Sequence, residues 1–386
     1  MNKTPLTLAI GGLLAMAAGI GIGRFVYTPI LPPMVEALSL TKSQAGLIAS
    51  ANFVGYLAGA LLAALRLPGS RRAWLLGSLA LNAICLAAMG LTTAMPLFLL
   101  LRLSAGIASA FALVFSSALV LDRLASAGRS GLSAVHFAGV GSGIAVSAAL
   151  VAILLHEGAA WSTLWLASAL LATVASLAVA WMVPPETPAP RAAASSTRAK
   201  VSGDFAALAV AYGLFGFGYI ITATFIVAMV RGSAALRPLE PYICVLFGLS
   251  AAPSVALWTS LGRRWGILRT FAIAGIVEAM GVAASVLWLH AASIIVAAVF
   301  VGGTFMGLTA LGLIAARETA SGDPRGRIAL MTASFSFGQI LGPAFAGFVY
   351  DATGSLAMPS LVATAALAAA ALLAIVADIQ RRRPSS

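Results

Sequence analysis

The chain has 386 residues, of which 61% are hydrophobic and only 9% are charged. So little charge cannot cover the surface of a soluble domain of this length, so the composition indicates a polytopic membrane protein and excludes a soluble fold. The formal net charge of +12 does not indicate nucleic-acid binding, because the basic residues stand singly or in short clusters between apolar runs.

A membrane-spanning helix needs about 20 mainly apolar residues. The chain contains twelve runs of this kind, at 6–35, 43–65, 73–91, 96–121, 132–155, 161–183, 205–230, 242–261, 267–289, 293–316, 328–350 and 356–377. The only long polar stretch, 184–203, is rich in Pro, Ala and Ser and is predicted to be a cytoplasmic linker. We therefore expect an all-α membrane protein with one six-helix bundle at 1–183 and a second at 204–386.

The distribution of basic residues predicts the orientation. Segments on the side of the two termini hold 18 of the 23 lysines and arginines, and the opposite loops hold only Lys42, Arg231 and Arg237. Cytoplasmic loops are enriched in these residues. We expect a multi-pass protein of the bacterial inner membrane with both termini in the cytoplasm. The other two basic residues, Arg24 and Arg102, lie inside spans.

Span 1 carries the most informative stretch, residues 19–33 (GIGIGRFVYTPILPP). Arg24 follows three alternate glycines, and the two prolines at its end are expected to loosen the helix. A charge at this depth is costly unless it faces a wet cavity or a partner. A guanidinium binds carboxylate or phosphate with two parallel hydrogen bonds. We interpret Arg24 as a substrate-binding residue for an anion; alternatively, it binds carbonyls freed by the glycines or pairs with a buried acid.

Tyr27 lies one turn beyond Arg24 and is predicted to share its helix face. An internal repeat adds a second tyrosine. Residues 21–25 (GIGRF) in span 1 match 216–220 (GFGYI) in span 7, so that Tyr219 corresponds to Arg24. Parallel repeats place the solute site between the two halves, near the middle of the membrane. Both tyrosines are substrate-binding candidates, although aromatic rings also simply fill helix interfaces.

Four further polar residues are candidates. Asn52 and Gln339 either contact the substrate or tie helices together. Glu278 is the only carboxylate deep inside a span and could carry a proton, with a structural hydrogen bond as the alternative. His136 either titrates near neutral pH or is a neutral hydrogen-bonding group. The sequence contains no metal-ligand cluster, nucleotide loop or catalytic-triad spacing, so we expect no metal, no cofactor and no enzymatic activity.

Several motifs resemble those of the major facilitator superfamily, and the resemblance covers nearly the whole chain. They are 69–72 (GSRR) after span 2, the Arg102 motif at 99–106 in span 4, and 337–343 (FGQILGP) with 351–355 (DATGS) in and after span 11. The usual acidic residue of the first motif is missing. The glycine-arginine stretch of span 1 together with the span 11 motif is similar to the YbfB/YjiJ-type bacterial transporters.

This resemblance implies two pseudo-symmetric six-helix bundles, the major facilitator fold, that transport a solute by alternating access. It implies a coupling or gating role for Arg102, for which the alternative is a structural arginine that binds neighbouring helix ends. It also implies that span 9, with Glu278, is peripheral. Span 5 lacks the Gly-Pro pair that is usual in the superfamily's drug–proton antiporters.

We therefore expect a secondary active transporter that moves a small anionic organic solute, coupled to protons or to a counter-solute. The alternative is a proton-driven exporter of drugs or other apolar or cationic compounds, against which the scarcity of carboxylates in the spans argues. A membrane-embedded sensor is a third possibility, but it would need a signalling domain. The expected partners are the small-molecule substrate and the lipid bilayer, with no nucleic acid, and we expect a monomer.

Overall fold

The computed structural model describes residues 4–65, 67–184, 203–288, 290–319 and 325–382. Within these ranges, twelve helical segments are long and apolar enough to cross a membrane: Pro5–Leu38, Lys42–Ala63, Arg71–Met89, Met95–Ser126, Ser130–His156, Trp161–Met182, Phe205–Arg231, Arg237–Trp265, Ile267–Leu287, Ala291–Glu318, Gly326–Thr353 and Ala357–Arg381. They are numbered here as spans 1 to 12. The all-α architecture with twelve spans is confirmed. The predicted linker lies outside the described residues, except for its two end residues.

Span 8 is interrupted, whereas the sequence was interpreted as one continuous run. Its two helices are Glu240–Ala251 and Ser254–Trp265. Pro253 separates them, because a proline ring has no N–H to donate and collides with the carbonyl of the preceding turn.

Span 1 is interrupted too, but before Arg24 and not at the prolines. Its first helix, Pro5–Met16, continues into a π-helix at Ala17–Ile22. A short α-helical turn at Gly23–Phe25 carries Arg24, and after Val26 the α-helix continues as Tyr27–Leu38. Pro32 and Pro33 lie inside that last helix, which continues through them to Leu38. The π segment is made of alanine, glycine and isoleucine, and its small residues allow the wider turn, in which each N–H bonds the fifth residue back.

Span 1 contacts both halves of the molecule. Pro5–Met16 packs on spans 4, 5 and 6, whereas Tyr27–Leu38 also packs on span 7. The π segment approaches span 5 very closely: a Cβ atom added to Gly21 would lie 2.7 Å from the Cα of Gly143. Helices in a membrane associate through this kind of close packing, because lipid is as apolar as the helix surfaces.

The two halves meet along two pairs of helices. Span 2 packs on span 11, where the Ser50 hydroxyl donates to the carbonyl of Ile340 at 2.7 Å. Span 5 packs on span 8, where a Cβ on Gly141 would lie 2.6 Å from the carbonyl oxygen of Gly248. The backbones of spans 5 and 8 are therefore nearly in contact, so that a small change in the tilt of either helix alters the interface between the halves.

At the face opposite the chain termini, called the far face, two polar groups join the halves. The Asp351 carboxylate of span 11 accepts hydrogen bonds from the backbone N–H groups of Lys42 and Ser43, at 3.0 and 2.9 Å, where span 2 begins. The carboxylate thus satisfies N–H groups that have no partner within their own helix. It also lies at the positive end of the helix dipole.

The second far-face group is centred on Arg231 at the end of span 7. Its Nη1 lies 3.0 Å from the Glu36 carboxylate of span 1, and its Nη2 lies 2.5 Å from the Glu240 carboxylate of span 8. Together with Asp351 at the N-terminus of span 2, these ion pairs form what we call the far-face lock. About two helical turns deeper, the Thr28 hydroxyl of span 1 donates to the carbonyl of Ala223 in span 7 at 2.8 Å.

The ion pairs described on the termini face lie within single halves. Arg71 pairs with Asp122 at 3.4 Å between spans 3 and 4, and Arg269 pairs with Asp378 at 3.0 Å between spans 9 and 12. These contacts stabilise each six-helix bundle and leave the far-face lock as the described ionic link between the bundles.

Candidate functional site

Arg24 is buried at the centre of the molecule, with 6% of its surface exposed. Its guanidinium carbon lies 4.3 Å from the ring centre of Phe53, 4.7 Å from that of Tyr56 and 5.7 Å from that of Phe25. We call these three rings the aromatic cage. Each contact with a ring face is worth about 0.5–2 kcal/mol, so the cage offsets only part of the cost of burying the charge.

The hydrogen-bonding edge of Arg24 is unoccupied. Its Nε and Nη2 atoms are buried and have no hydrogen-bond partner. These two N–H groups point the same way from one edge of the guanidinium and form the fork that holds a carboxylate with two bonds. Among the described residues, no carboxylate forms an ion pair with Arg24, and its electrostatic neighbours are the phenols of Tyr219 and Tyr56. An anion would therefore supply the missing partner.

Arg102 of span 4 holds the backbone beside the cage. Its Nη1 donates to the carbonyl of Gly23 and its Nη2 to the carbonyl of Arg24, both at 3.2 Å. The Arg102 side chain is 2% exposed. This is the geometry of a structural arginine that bonds to a neighbouring helix, and it fixes the point from which the Arg24 side chain leaves the backbone.

Asn82 of span 3 does the same for the π segment. Its Nδ2 donates to the carbonyl of Ala18 at 3.0 Å and to that of Gly19 at 3.3 Å. Carbonyls in an interrupted helix need partners, because the bilayer core offers none. In this structure Asn82 and Arg102 supply these hydrogen bonds, which leaves the Arg24 fork unused.

Tyr27 and Asn52 support Arg102 and lie outside the cage. The Tyr27 hydroxyl donates to the carbonyl of Ala45 at 2.8 Å, and its ring centre lies 5.0 Å from the guanidinium carbon of Arg102. The Asn52 amide donates to the carbonyl of Arg102 at 3.0 Å. Both side chains tie helices together in this arrangement.

Tyr219, the repeat counterpart of Arg24 in the other half, lies within electrostatic range of it. The Gln339 amide donates to the Tyr219 hydroxyl, while its own Oε1 is buried and has no partner. Tyr219 and Gln339 therefore form a polar pair opposite the cage.

A stack of nearly parallel rings surrounds Tyr219. The rings of Phe305 and Phe335 lie 5.5 and 5.9 Å from it, at interplanar angles of 11° and 5°. Phe305 also contacts Phe25 of the cage, with ring centres 5.6 Å apart. Aromatic surfaces from both halves are therefore continuous around Arg24.

Glu278 of span 9 is fully buried. Its Oε1 accepts a hydrogen bond from Thr304 of span 10 at 3.1 Å, and its Oε2 has no partner. Tyr219 is within electrostatic range. The resemblance implies a peripheral position for this helix, and the Glu278 side chain is buried within the protein against Thr304 of span 10.

The structure does not bring His136 to the site. Its Nε2 lies 3.3 Å from the Ser117 hydroxyl, and its ring packs on Gly12. Gly12 precedes Arg24 by 12 residues, or about 18 Å at the 1.5 Å rise of a helix. The imidazole is therefore a hydrogen-bonding group between spans 1, 4 and 5.

Sequence reasoning missed Phe53, Tyr56 and Asn82. The first two stand three residues apart on span 2, a spacing that places them on one helix face. A lone asparagine in span 3 was an equally available indication of a contact with another helix. The sequence does not show that spans 2 and 3 pack against the particular turn of span 1 that carries Arg24.

Comparison with known proteins gives a family and a fold. The sequence profile of the family described as "Uncharacterised MFS-type transporter YbfB" matches residues 16–375. Two crystal structures of the nucleoside transporter NupG resemble this structure. A point mutant has a TM-score of 0.75 at 15% identity, covering 97% of this chain and 99% of that one. The other has a TM-score of 0.68 at 16% identity, with 98% and 99% covered. No curated protein sequence matches significantly.

Proposed function

The chain belongs to the YbfB-type family of MFS transporters, and we propose that it moves a small anionic organic solute across the bacterial inner membrane as a secondary active transporter. The family assignment makes the chain a multi-pass membrane transporter and not an enzyme. At the identities of the structural matches, their likeness supports the fold alone, so the solute has to be argued from the site.

The unoccupied fork of Arg24 is the observation that carries the proposal. Two buried N–H groups of a charged side chain without partners cost at least about 1–3 kcal/mol each, and intramembrane charges are rare unless they serve a function. Arg24 and Arg102 also lie close enough to repel each other. A bound anion would relieve both costs at once, whereas a neutral solute would relieve only the first.

The proposed mechanism is alternating access by two bundles, 1–183 and 204–386, that rock about the site. Arg24 and its cage belong to the first bundle, and Tyr219 and Gln339 to the second, so rocking changes the distance between them. The far-face lock closes one entrance. With both termini in the cytoplasm, as the basic loops predict, the closed entrance is the periplasmic one. The working unit in this proposal is a monomer.

Glu278 is the residue that best fits a proton-coupled version of this cycle. It lies in the second bundle within electrostatic range of Tyr219, and its free Oε2 could hold a proton while the substrate occupies Arg24. The other version is exchange against a counter-solute, in which Glu278 keeps its hydrogen bond to Thr304 throughout the cycle. Only the first version requires a carboxyl at this position.

Replacing Arg24 with Gln tests the function. The purified protein is screened by thermal shift against benzoate, acetate, succinate and phosphate, because a ligand that binds only the folded state raises the melting temperature. We expect at least one anion to stabilise the unsubstituted protein and to lose its effect in Arg24→Gln. Arg264→Gln makes the same change at an exposed position and should keep the effect. If every anion acts equally on both variants, recognition by Arg24 is refuted.

The drug-exporter alternative has one observation in its favour, the aromatic surface around Tyr219 with a buried carboxyl nearby. Two uncompensated guanidiniums at the same place argue against cationic cargo. Counterflow of tetraphenylphosphonium in proteoliposomes separates the two functions, since an exporter of cations would accumulate it and an anion carrier would not.

A further inference from the structure

We infer that the solute is an aromatic monocarboxylate: one carboxylate on a flat, apolar ring. This rests on the proposed function and specifies its substrate class. It follows from three features of the same site, namely the number of unoccupied forks, the parallel ring stack and the aromatic cage around Arg24.

The number of forks limits the solute to one carboxylate. Arg24 offers one complete edge, Nε with Nη2. Arg102 offers none, because its Nη2 already donates to span 1, so its unpartnered Nε stands alone. A second carboxylate would be buried among phenyl rings without a fork to hold it. An unpaired charge in such surroundings is strongly unfavourable.

The ring stack favours a flat body over a flexible one. Phe335, Tyr219 and Phe305 lie within 11° of parallel in successive pairs, and Phe305 continues to Phe25 beside Arg24. A flat ring can lie against such faces in the offset arrangements that aromatic pairs prefer. An aliphatic body of the same volume gains only contact area.

The cage determines how the anion approaches. Phe53 and Tyr56 lie against the guanidinium of Arg24 within 5 Å, and its unpartnered nitrogens are those of one edge. A carboxylate therefore docks edge-on, in the plane of the guanidinium, where these two nitrogens can both donate to it. Phosphate esters would fit this fork less well, because their additional oxygens would contact aromatic carbon.

The test compares four probes on the purified full chain by calorimetry: benzoate, cyclohexanecarboxylate, succinate and benzyl alcohol. We expect benzoate to bind about two- to twelvefold more tightly than cyclohexanecarboxylate, the usual size of an aromatic-pair contribution. Succinate and benzyl alcohol should each be weaker than benzoate by at least about tenfold. Equal binding of the two ring acids, or tighter binding of succinate, overturns the aromatic assignment but leaves the anion carrier in place.

A second arm uses Phe305→Leu, which removes one ring of the stack and keeps an apolar side chain. We expect the preference for benzoate over cyclohexanecarboxylate to fall to within about twofold. Phe348→Leu makes the same change on an exposed face of span 11 and should keep the preference. An unchanged preference in Phe305→Leu refutes the role of the stack. If none of the acids binds the unsubstituted protein, the proposed function itself fails.

Discussion

Asp351→Asn is expected to open the far face. The Asp351 carboxylate accepts two backbone N–H bonds from the first turn of span 2. The amide that replaces it keeps one acceptor oxygen, so one bond is lost, worth about 0.5–1.5 kcal/mol. The loss of negative charge at the helix N-terminus removes a further 0.3–1 kcal/mol or so. The conformation in which the far face is closed should therefore lose roughly 1–2 kcal/mol of stability. This raises the population of the conformation in which the far face is open by about five- to thirtyfold.

The chain contains its own reporter of this opening. Cys244 is a buried free thiol one turn after Glu240, a residue of the far-face lock. In a Cys85→Ala background it is the sole cysteine. The assay is the rate at which a membrane-impermeant maleimide labels Cys244 in right-side-out vesicles. We expect Asp351→Asn to raise that rate by the same factor as the population of the open state.

The control for this assay is Asp122→Asn, which removes a carboxylate from an ion pair on the termini face and should leave the labelling rate unchanged. If Asp351→Asn folds normally and labels at the original rate, the contact between Asp351 and span 2 does not hold the far face closed. Equal increases in both variants would point to general loosening of the bundle and would also contradict the reasoning.

Three other substitutions test the interior. Gly21→Ala would place a methyl group 2.6 Å from the carbonyl oxygen of Val140, so it should lower the melting temperature and abolish flux. The control is Gly77→Ala, which has open space around it and should change neither the melting temperature nor the flux. Arg102→Gln should lower the free energy of unfolding in detergent by roughly 1–3 kcal/mol and weaken benzoate binding; unchanged binding would show that Arg102 does not position Arg24. Glu278→Gln should abolish uptake driven by a pH gradient and retain counterflow, whereas gradient-driven uptake that persists would exclude Glu278 as the proton site.

The number and order of the spans could be predicted from the sequence, because each span needs about 20 apolar residues and must bond its own backbone groups within the bilayer. The positions at which helices are interrupted could not be predicted in this way. In span 8 the sequence carries a local indication, Pro253, at the point of interruption. In span 1 the two prolines indicated a weak point, but the π segment arose upstream, where Asn82 of another helix bonds to its carbonyls. A break that depends on a partner side chain is not encoded by its own segment.

The site likewise contains residues that could be predicted from the sequence and residues whose roles could not. Arg24 stands out in the sequence because a charge inside an apolar run has few explanations, and the repeat placed Tyr219 opposite it. Which arginine binds backbone could not be decided, since Arg24 and Arg102 are both lone arginines within spans. Only the packing of span 4 on span 1 shows that Arg102 occupies the carbonyls. The role of Phe53 likewise depends on the rotation of span 2, which hydropathy does not specify.

The π segment also determines the direction in which Arg24 points. Each hydrogen-bonded ring of a π-helix contains one residue more than that of an α-helix, and one residue corresponds to about 100° of rotation about the helix axis. The side chains beyond Ala17–Ile22 are therefore turned relative to those before it. Rewinding this segment as a regular α-helix, with no change in sequence, would leave the chemistry of every side chain intact and yet swing the guanidinium about a quarter turn out of its cage. The direction of the Arg24 side chain thus depends on helical phase as well as on the choice of amino acids.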